Sequence, residues 1–520
     1  MEKSKIPSDF HEPINTVNKI NYTHLIDEAD VYSVAKKSPL SHALIISSKL
    51  NNKILLKRED MQRTFSFKVR GAINKINQLN KEDLKNGVVC SSAGNHAQGV
   101  ALASQIHKTQ AFIVMPQTTP SIKIDAVKSL GANVILYGDN YDEAFKKAKE
   151  LEKEKSLIFI HPFDDPHVIA GQGTIAKEIL EEVDENIDAI FVPIGGGGLI
   201  SGIAAYIKEK RSEIKIIGVE PEDSASMKIA LEKGKPVKLD HVSIFADGVA
   251  VKKVGDETFK ICKKHLDEII TVNTDQICAA IQSIYEDTRT IVEPAGALSI
   301  AGITKYVARN QCSKKTFVGI NCGANVNFDR LRHIAERSAI GKQSEIILAV
   351  EIDEKPGSFK KFCKSIGKRN ITEFNYRYNN DRFARVFVGV SLSNNPNERS
   401  EIINQINNSG YKVFDLSENE MAKLHIRHMV GGRASINNEH LFRFEFPERP
   451  GALLEFLDSI GNDWNISLFH YRNHGSDFGR ILTGIQASSE QMNQLNEYLS
   501  KLGYRYWEET SNPAYTMFLA

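Results

Sequence analysis

Val192-Pro193-Ile194-Gly195-Gly196-Gly197-Gly198-Leu199-Ile200-Ser201-Gly202 joins an apolar β-rich run, Ala189–Pro193, to a helical pattern, Leu199–Lys208. Four consecutive glycines let the backbone close on a ligand, and the helix that follows favours an anion at its N-terminus. A merely tight turn is the plain alternative, but such a run is costly unless something must approach the backbone. No register reads G-x-G-x-x-G and no Gly-Lys-Ser/Thr follows, which disfavours a dinucleotide fingerprint and an ATP P-loop. Outward from this stretch the same alternation repeats. Val88–Ser91, Ala111–Met115, Val134–Tyr137, Leu157–Ile160 and Lys215–Val219 read as short strands. Ala97–Ile106, Ile122–Leu130 and Tyr141–Lys155 read as helices between them. Nearly all-apolar strands separated by helices predict an α/β fold whose parallel sheet is covered on both faces, with ligands at the C-terminal strand ends.

Three further stretches fall at such places. In Thr64-Phe65-Ser66-Phe67-Lys68-Val69-Arg70-Gly71-Ala72, Val69, Ala72, Ile73, Ile76 and Leu79 have helical spacing, and Ser66 stands where an N-cap would. Lys68 then lies in the first turn, where the macrodipole disfavours a cation, and Phe65 and Phe67 would desolvate its amine. Both effects suit a lysine that reacts with carbonyls; a snorkelling surface lysine is the bland alternative. In Ser91-Ser92-Ala93-Gly94-Asn95-His96-Ala97-Gln98-Gly99 small residues expose N–H groups at a helix start, a place for a carboxylate or phosphate. Asn95 can donate to an oxyanion; His96 reads either as a general base or as a structural residue. Val318-Gly319-Ile320-Asn321-Cys322-Gly323-Ala324-Asn325 is a strand end opening onto a small-residue turn, with Cys322 a nucleophile or, by default, an inert buried thiol.

The last third changes character. EIDEKPGSFKKFCKSIGKRNITEFNYR (residues 351–377) and EFPERPGALLEFLDSIGNDWNISLFHYR (residues 445–472) share Glu-x-x-Glu, a basic residue before Pro-Gly, a Phe, Ser-Ile-Gly, Asn-Ile and Tyr-Arg, at a spacing of 94. An internal repeat is the natural reading. Each copy continues through a second strand (Arg385–Val390; Arg480–Ile485) and a helix (Arg399–Asn407; Ser489–Leu499), the βαββαβ order of a ferredoxin-like α+β module. Tyr376-Arg377 and Tyr471-Arg472 fall at equivalent positions and are candidates for an effector site, with packing between the modules as the alternative. The predicted division is 1–340, with a smaller subdomain at about 62–160, then modules at 346–418 and 441–512.

The 520 residues exceed what one such α/β unit needs, leaving room for the repeats. Lys+Arg 66 against Asp+Glu 65 gives a formal charge of +1, so no global field draws the chain to nucleic acid or an anionic membrane. No apolar run reaches bilayer length, and residues 1–20 hold no signal-like apolar core. Cys90, Cys262, Cys278, Cys312, Cys322 and Cys363 form no CxxC pair, which points to the cytoplasm and away from a disulfide scaffold or a structural metal site.

Together the four stretches, with Val31–Pro39, Lys57-Arg58-Glu59-Asp60, Glu293-Pro294-x-Gly296-Ala297 and Gly323-Ala324-Asn325-Val326-Asn327-Phe328, resemble the pyridoxal-phosphate enzymes of the tryptophan-synthase-β-like fold. More narrowly they are similar to the serine/threonine dehydratases. With the duplicated module, nearly the whole chain resembles the biosynthetic threonine dehydratases, which carry paired ACT-like regulatory domains. The resemblance implies that Lys68 links covalently to pyridoxal phosphate and that Asn95 meets its phenolate oxygen. Gly195, Gly196, Gly197, Gly198 and Leu199 would hold the phosphate, and Ser92, Ala93, Gly94 and Asn95 would surround the substrate carboxylate. Cys322 stands where the biosynthetic enzymes usually place a serine facing the pyridine nitrogen, and is the weaker hydrogen-bonding group. The resemblance further implies L-threonine as substrate, isoleucine as inhibitor, valine as opposing activator and a homotetramer. A serine dehydratase or racemase of the same fold, and an amino-acid-binding regulator with an inactive catalytic half, are the competing readings. The repeats oppose the first; Lys68, Asn95 and the glycine run oppose the second.

Overall fold

The computed structural model describes residues 20–520 except 184, 244, 329, 343, 379–381, 394, 396, 420, 421, 424, 425, 429–433, 435, 448–451, 461–463, 473–477, 503, 514, 516–518 and 520. The side chains of 340, 445–447, 452, 455, 459, 460, 472 and 478–480 are also left undescribed. The chain divides into two compact units, residues up to 334 and residues from 335 onward.

The first unit holds ten strands: β1 (Leu40–His42), β2 (Lys53–Arg58), β3 (Val88–Ser91), β4 (Ala111–Met115), β5 (Asn133–Leu136), β6 (Ile158–Phe159), β7 (Ala189–Pro193), β8 (Lys215–Pro221), β9 (Glu268–Val272) and β10 (Thr316–Asn321). They form a six-stranded sheet ordered β1-β2-β10-β7-β8-β9 and a four-stranded sheet ordered β5-β4-β3-β6. Every pairing is parallel except β1 with β2. β3 and β7 are buried at every residue, as expected where helices cover both faces. The four helices read between those strands are found at Asn95–His107, Ser121–Ser129, Tyr141–Glu154 and Gly198–Lys210, each within three residues of the sequence reading at either end. The loops after β3, β7 and β10 lie at C-terminal strand ends, the expected place for a site.

Behind the site lies a charged core. Arg70, 0% exposed, donates through Nη2 to Glu59 Oε1 at 2.8 Å and through Nη1 to Glu178 Oε1 at 2.6 Å. The equally buried Lys57 reaches Glu178 at 2.9 Å. Helix Lys68–Asn77 is thereby pinned to Pro166–Glu182, and Gly71 lies so close to that helix that a Cβ would meet the Val168 carbonyl at 2.8 Å.

The second unit is an eight-stranded antiparallel sheet. Its strands are β11 (Glu345–Asp353), β12 (Ile371–Arg377), β13 (Phe383–Ser391), β14 (Lys412–Asp415), β15 (Glu439–Pro447), β16 (Asn465–Arg472), β17 (Phe478–Gln486) and β18 (Arg505–Glu508). The order β14-β11-β13-β12-β16-β17-β15-β18 places two βαββαβ modules side by side, joined by β12 and β16. The repeat continues past the last strand of each module. Ser417 Oγ accepts from Ile347 N at 3.0 Å, and Thr510 Oγ1 accepts from Leu441 N at 2.9 Å. Each module thus has a C-terminal strap on its sheet, packing Ala422 and Ile426 on Ile347 in one, and Tyr515 and Leu519 on Leu441 in the other.

Candidate active site

Lys68 is the first residue of helix Lys68–Asn77, and its preceding loop is tied to the turn after β10. Phe67 N donates to the Cys322 carbonyl at 3.2 Å, Ala324 N to the Phe65 carbonyl at 2.9 Å, and Ser66 pairs with Gly323 as an isolated bridge. Two local expectations are corrected. The helix boundary puts Phe67, already in αR geometry and with no capping side chain, at the cap position, while Ser66 Oγ still makes the capping contact by accepting from the Lys68 amide at 3.2 Å. Phe65 is 57% exposed with φ +53°, so it shields nothing; Phe67 alone flanks the amine, 5.3 Å from ring centroid to Nζ. The amine donates to the Pro162 carbonyl at 2.9 Å. Burial lowers its pKa to about 8 against the opposing pull of Cys322 and Glu293.

The loop after β3 presents Ser92, Ala93, Gly94 and Asn95 partly exposed, whereas the helix behind is buried from His96 to Ser104. Asn95 sits in a polar cluster. Its Nδ2 donates to Glu293 Oε1 at 2.7 Å, and its Oδ1 accepts from Asn325 Nδ2 at 2.7 Å. Asn325 N donates to Glu293 Oε2 at 3.1 Å. Burial first, then Asp247, push Glu293 up to about 7. His96 is buried and bonds the Ile160 carbonyl at 2.9 Å, and burial drives its pKa down to about 3. That is the structural role of the two left open for it.

The glycine run follows β7. Gly197 is left-handed at φ +98°, and a Cβ on Gly196 would lie 2.2 Å from the Phe163 ring. A Cβ on Gly195 would meet Val249 Cα at 2.9 Å. Thr258 Oγ1 fastens the loop by donating to the Gly196 carbonyl at 2.7 Å. Helix Gly198–Lys210, with Leu199 in its first turn, has no side-chain cap, and neither does helix Asn95–His107. Asn80, Asn140, Asp165 and Asn273 cap other helices of this unit, while Ser121–Ser129, Ser226–Lys233 and Pro294–Asn310 also go without a side-chain cap. The two helices aimed at the site therefore keep first-turn N–H groups clear of side-chain acceptors, which suits anionic ligands. Cys322 is buried, and burial holds its thiol well above the usual range, so it stays neutral.

Glu293, Asn325, Pro162 and Phe163 were not singled out as site residues from the sequence. Glu293 and Asn325 stand inside recognisable motifs, but their meeting with Asn95 spans 198 and 230 residues and leaves no periodic trace. Tyr376, Arg377 and Tyr471 lie in the second unit on β12 and β16, where Phe374 is opposite Tyr471. Tyr376 is 3% exposed and donates to Glu354, and Arg377 pairs with Glu439 of the other module. The Arg472 side chain lies outside the described residues. No described group of three acidic, His or Cys side chains could hold a metal ion, and no described helix is long and apolar enough to cross a membrane.

A buried amine of lowered basicity, a glycine loop opening an uncapped helix, and a neutral thiol fit an aldehyde that carries a phosphate and a pyridine ring. Comparison with known proteins agrees. Residues 32–323 match the family of pyridoxal-phosphate-dependent enzymes, and 336–426 and 430–519 match the C-terminal regulatory domain of threonine dehydratase. The biosynthetic L-threonine dehydratase of Pasteurella multocida is 51% identical over 96% of this chain and 97% of its own. That of Escherichia coli is 50% identical over the same shares. The processed form of threonine deaminase isoform 2 from Solanum lycopersicum superposes with TM-score 0.60 at 48% identity, covering 61% of this chain and 88% of that one. A serine racemase from Dictyostelium discoideum, at 34% identity and TM-score 0.55, covers 59% of this chain and 99% of its own. With both halves matched in order and at such identity, the chain belongs to the pyridoxal-phosphate-dependent enzymes and, among them, to the biosynthetic threonine dehydratases.

Proposed function

We propose that this protein eliminates water from L-threonine and releases 2-oxobutanoate and ammonia, the opening step of isoleucine synthesis. The observation that carries the reading is Lys68, an amine held near neutrality by burial and placed among the loops after β3, β7 and β10. Bound pyridoxal phosphate supplies the electron sink for charge left at the substrate α-carbon. The chain's own residues do the rest. Lys68 carries the cofactor at rest and, in neutral form, takes the α-proton. Amides of Gly195–Leu199 hold the phosphate, and Ser92–Asn95 bind the carboxylate and keep it oriented. Asn95 would hold the cofactor's phenolate oxygen, and the neutral Cys322 thiol would offer its ring nitrogen an uncharged contact.

The second unit senses isoleucine as inhibitor and valine as activator. Tyr376 supports this reading: its hydroxyl bonds Glu354, next to the Lys355-Pro356-Gly357 turn that lines a cleft with Leu457, Trp464 and Ile466. Tyr376-Arg377 and Tyr471-Arg472 remain the candidate effector residues. A homotetramer and a cytoplasmic location complete the reading, the latter supported by six free cysteines.

The test is release of 2-oxobutanoate by the purified holoenzyme from threonine and from serine, with and without isoleucine, beside Lys68→Ala. Activity on threonine that isoleucine suppresses and Lys68→Ala abolishes supports the reading. A serine preference or indifference to isoleucine overturns it.

A further inference from the structure

We propose that Glu293 is a positioning residue: as a carboxylate it decides which atom of the Asn95 amide is turned toward the cofactor. The proposal deepens the reading that Asn95 meets the cofactor, and rests on it.

The two ends of an asparagine amide have the same shape, so hydrogen-bond partners must choose between them. Here the choice can be traced from a group with no alternative. The Thr64 carbonyl can only accept, and Asn325 Nδ2 donates to it at 2.8 Å. That fixes the Asn325 amide, whose nitrogen also faces Asn95 at 2.7 Å; Asn95 must therefore present Oδ1 to it. Asn95 Nδ2 is then turned to Glu293 Oε1, which must accept. The Asn325 backbone N–H can only donate, so Glu293 Oε2 must accept as well. Both carboxylate oxygens are called on as acceptors, and the ionised acid meets that demand best: protonation would turn one of them into a poorer acceptor carrying a hydrogen that needs its own partner. The second hydrogen on Asn95 Nδ2 is left for the cofactor oxygen.

Opposing this are burial and charge. A Cβ on Gly323 or Gly248 would come within 2.6 and 3.2 Å of Glu293 Oε1, so the backbone packs closely on a carboxylate that is itself buried. Asp247 faces it with like charge, while Lys123 and Lys68 favour its ionised form; the neutral Cys322 lies beside it. Burial outweighs the cations, and Glu293 titrates at about 7. A proton on Oε1 would confront the Asn95 N–H, and a proton on Oε2 the Asn325 N–H. Protonation therefore weakens one link and loosens the hold on the single Asn95 orientation. Above this point Asn95 is held; below it the donor to the cofactor is lost part of the time.

The experiment follows the bound cofactor rather than turnover. Absorbance of the holoenzyme is recorded from about pH 6 to 9, and cofactor affinity is measured by rebinding to the apoprotein over the same range. Wild type is expected to show a transition near 7 and tighter binding above it. Glu293→Gln, which can satisfy Asn95 or the Asn325 N–H but not both, should abolish the transition and weaken binding about tenfold. Glu293→Asp should restore a transition. Asn325→Ala keeps the carboxylate but frees Asn95 Oδ1; it should weaken binding while the transition stays, and it remains informative if Glu293→Gln fails to fold. A wild-type transition that persists in Glu293→Gln, or full cofactor affinity in Asn325→Ala, overturns the proposal. Asn95→Ala separates the two layers. If it leaves absorbance and affinity unchanged, the assignment of Asn95 to the cofactor fails; if it alters them while Glu293→Gln does not, only the role of Glu293 fails.

Discussion

Lys123 Nζ lies 2.6 Å from Asp247 Oδ2. Lys123 belongs to helix Ser121–Ser129, between β4 and β5 of the four-stranded sheet; Asp247 opens the turn Asp247–Val249, between β8 and β9 of the six-stranded sheet. The pair thus fastens one layer to the other beside Glu293. Its side chains are 23% and 31% exposed, so the link is worth about 1 kcal/mol. Lys123→Ala should raise KM for threonine up to about fivefold with a smaller change in kcat. Steady-state kinetics check this, and the difference from wild type should shrink as salt is added.

Gly196→Ala places a methyl group 2.2 Å from the Phe163 ring, so either the ring or the glycine loop must move. Overpacking of this kind costs about 1–3 kcal/mol, so cofactor affinity should fall about tenfold or more. Adding Phe163→Ala should recover part of the loss. Equilibrium rebinding of pyridoxal phosphate to the two apoproteins decides it.

Lys68 gives the apoprotein a pH signature. Its pKa falls from 10.5 to about 8 on folding, so between these values the unfolded chain binds more protons than the native one and stability rises with pH. Below about 8 the full penalty of burying the charge is present. Lys68→Met removes it, and the variant apoprotein should gain stability over wild type at neutral pH. The advantage should narrow as pH rises through about 8 toward 10.5. Urea denaturation of both apoproteins across that range is the measurement.

Arg70→Met should be among the most damaging core substitutions. It leaves Glu59 and Glu178 buried without their main partner, at a cost of about 3–5 kcal/mol. Burial alone would push Glu178 up, but Arg70 and Lys57 outweigh it and hold it below the usual carboxylate range. That contribution is present at neutral pH and is lost as pH falls through the acid range. Chemical denaturation should show wild type losing stability on acidification more steeply than Arg70→Met.

Tyr376→Phe removes the hydroxyl that bonds Glu354 and keeps the ring that packs edge-on against Phe359 at 4.8 Å. The isoleucine concentration for half-inhibition should rise several-fold while the fold is kept. Inhibition curves alongside thermal melts check both parts; an unchanged midpoint removes Tyr376 from the effector site.

The parts of this protein legible in the chain are those written locally. Strand β7, the glycine run and helix Gly198–Lys210 are contiguous, and their composition states their geometry. The duplicated modules were equally plain, because residues 351–377 and 445–472 carry the same side chains in the same order. Their straps do not show in the repeat: Ser417 and Thr510 keep the hydroxyl, but the residues around them share no pattern. Phe65 was misjudged because helical spacing cannot report the left-handed residue that swings its ring to solvent.

Glu293 marks the boundary most sharply. Composition, spacing and motif order were enough to point to an α/β fold with a parallel sheet, to Lys68 and the glycine run as candidates, and to the repeat, since each depends on neighbours along the chain. Nothing along the chain says that Glu293 reaches Asn95 across 198 residues, that Asn325 closes the cluster, or that two glycines pack against the carboxylate. Those follow only when the layers pack, because burial and hydrogen-bond direction belong to the space between segments. That packing moves Lys68 to about 8 and Glu293 to about 7, and so sets the charges with which the site works.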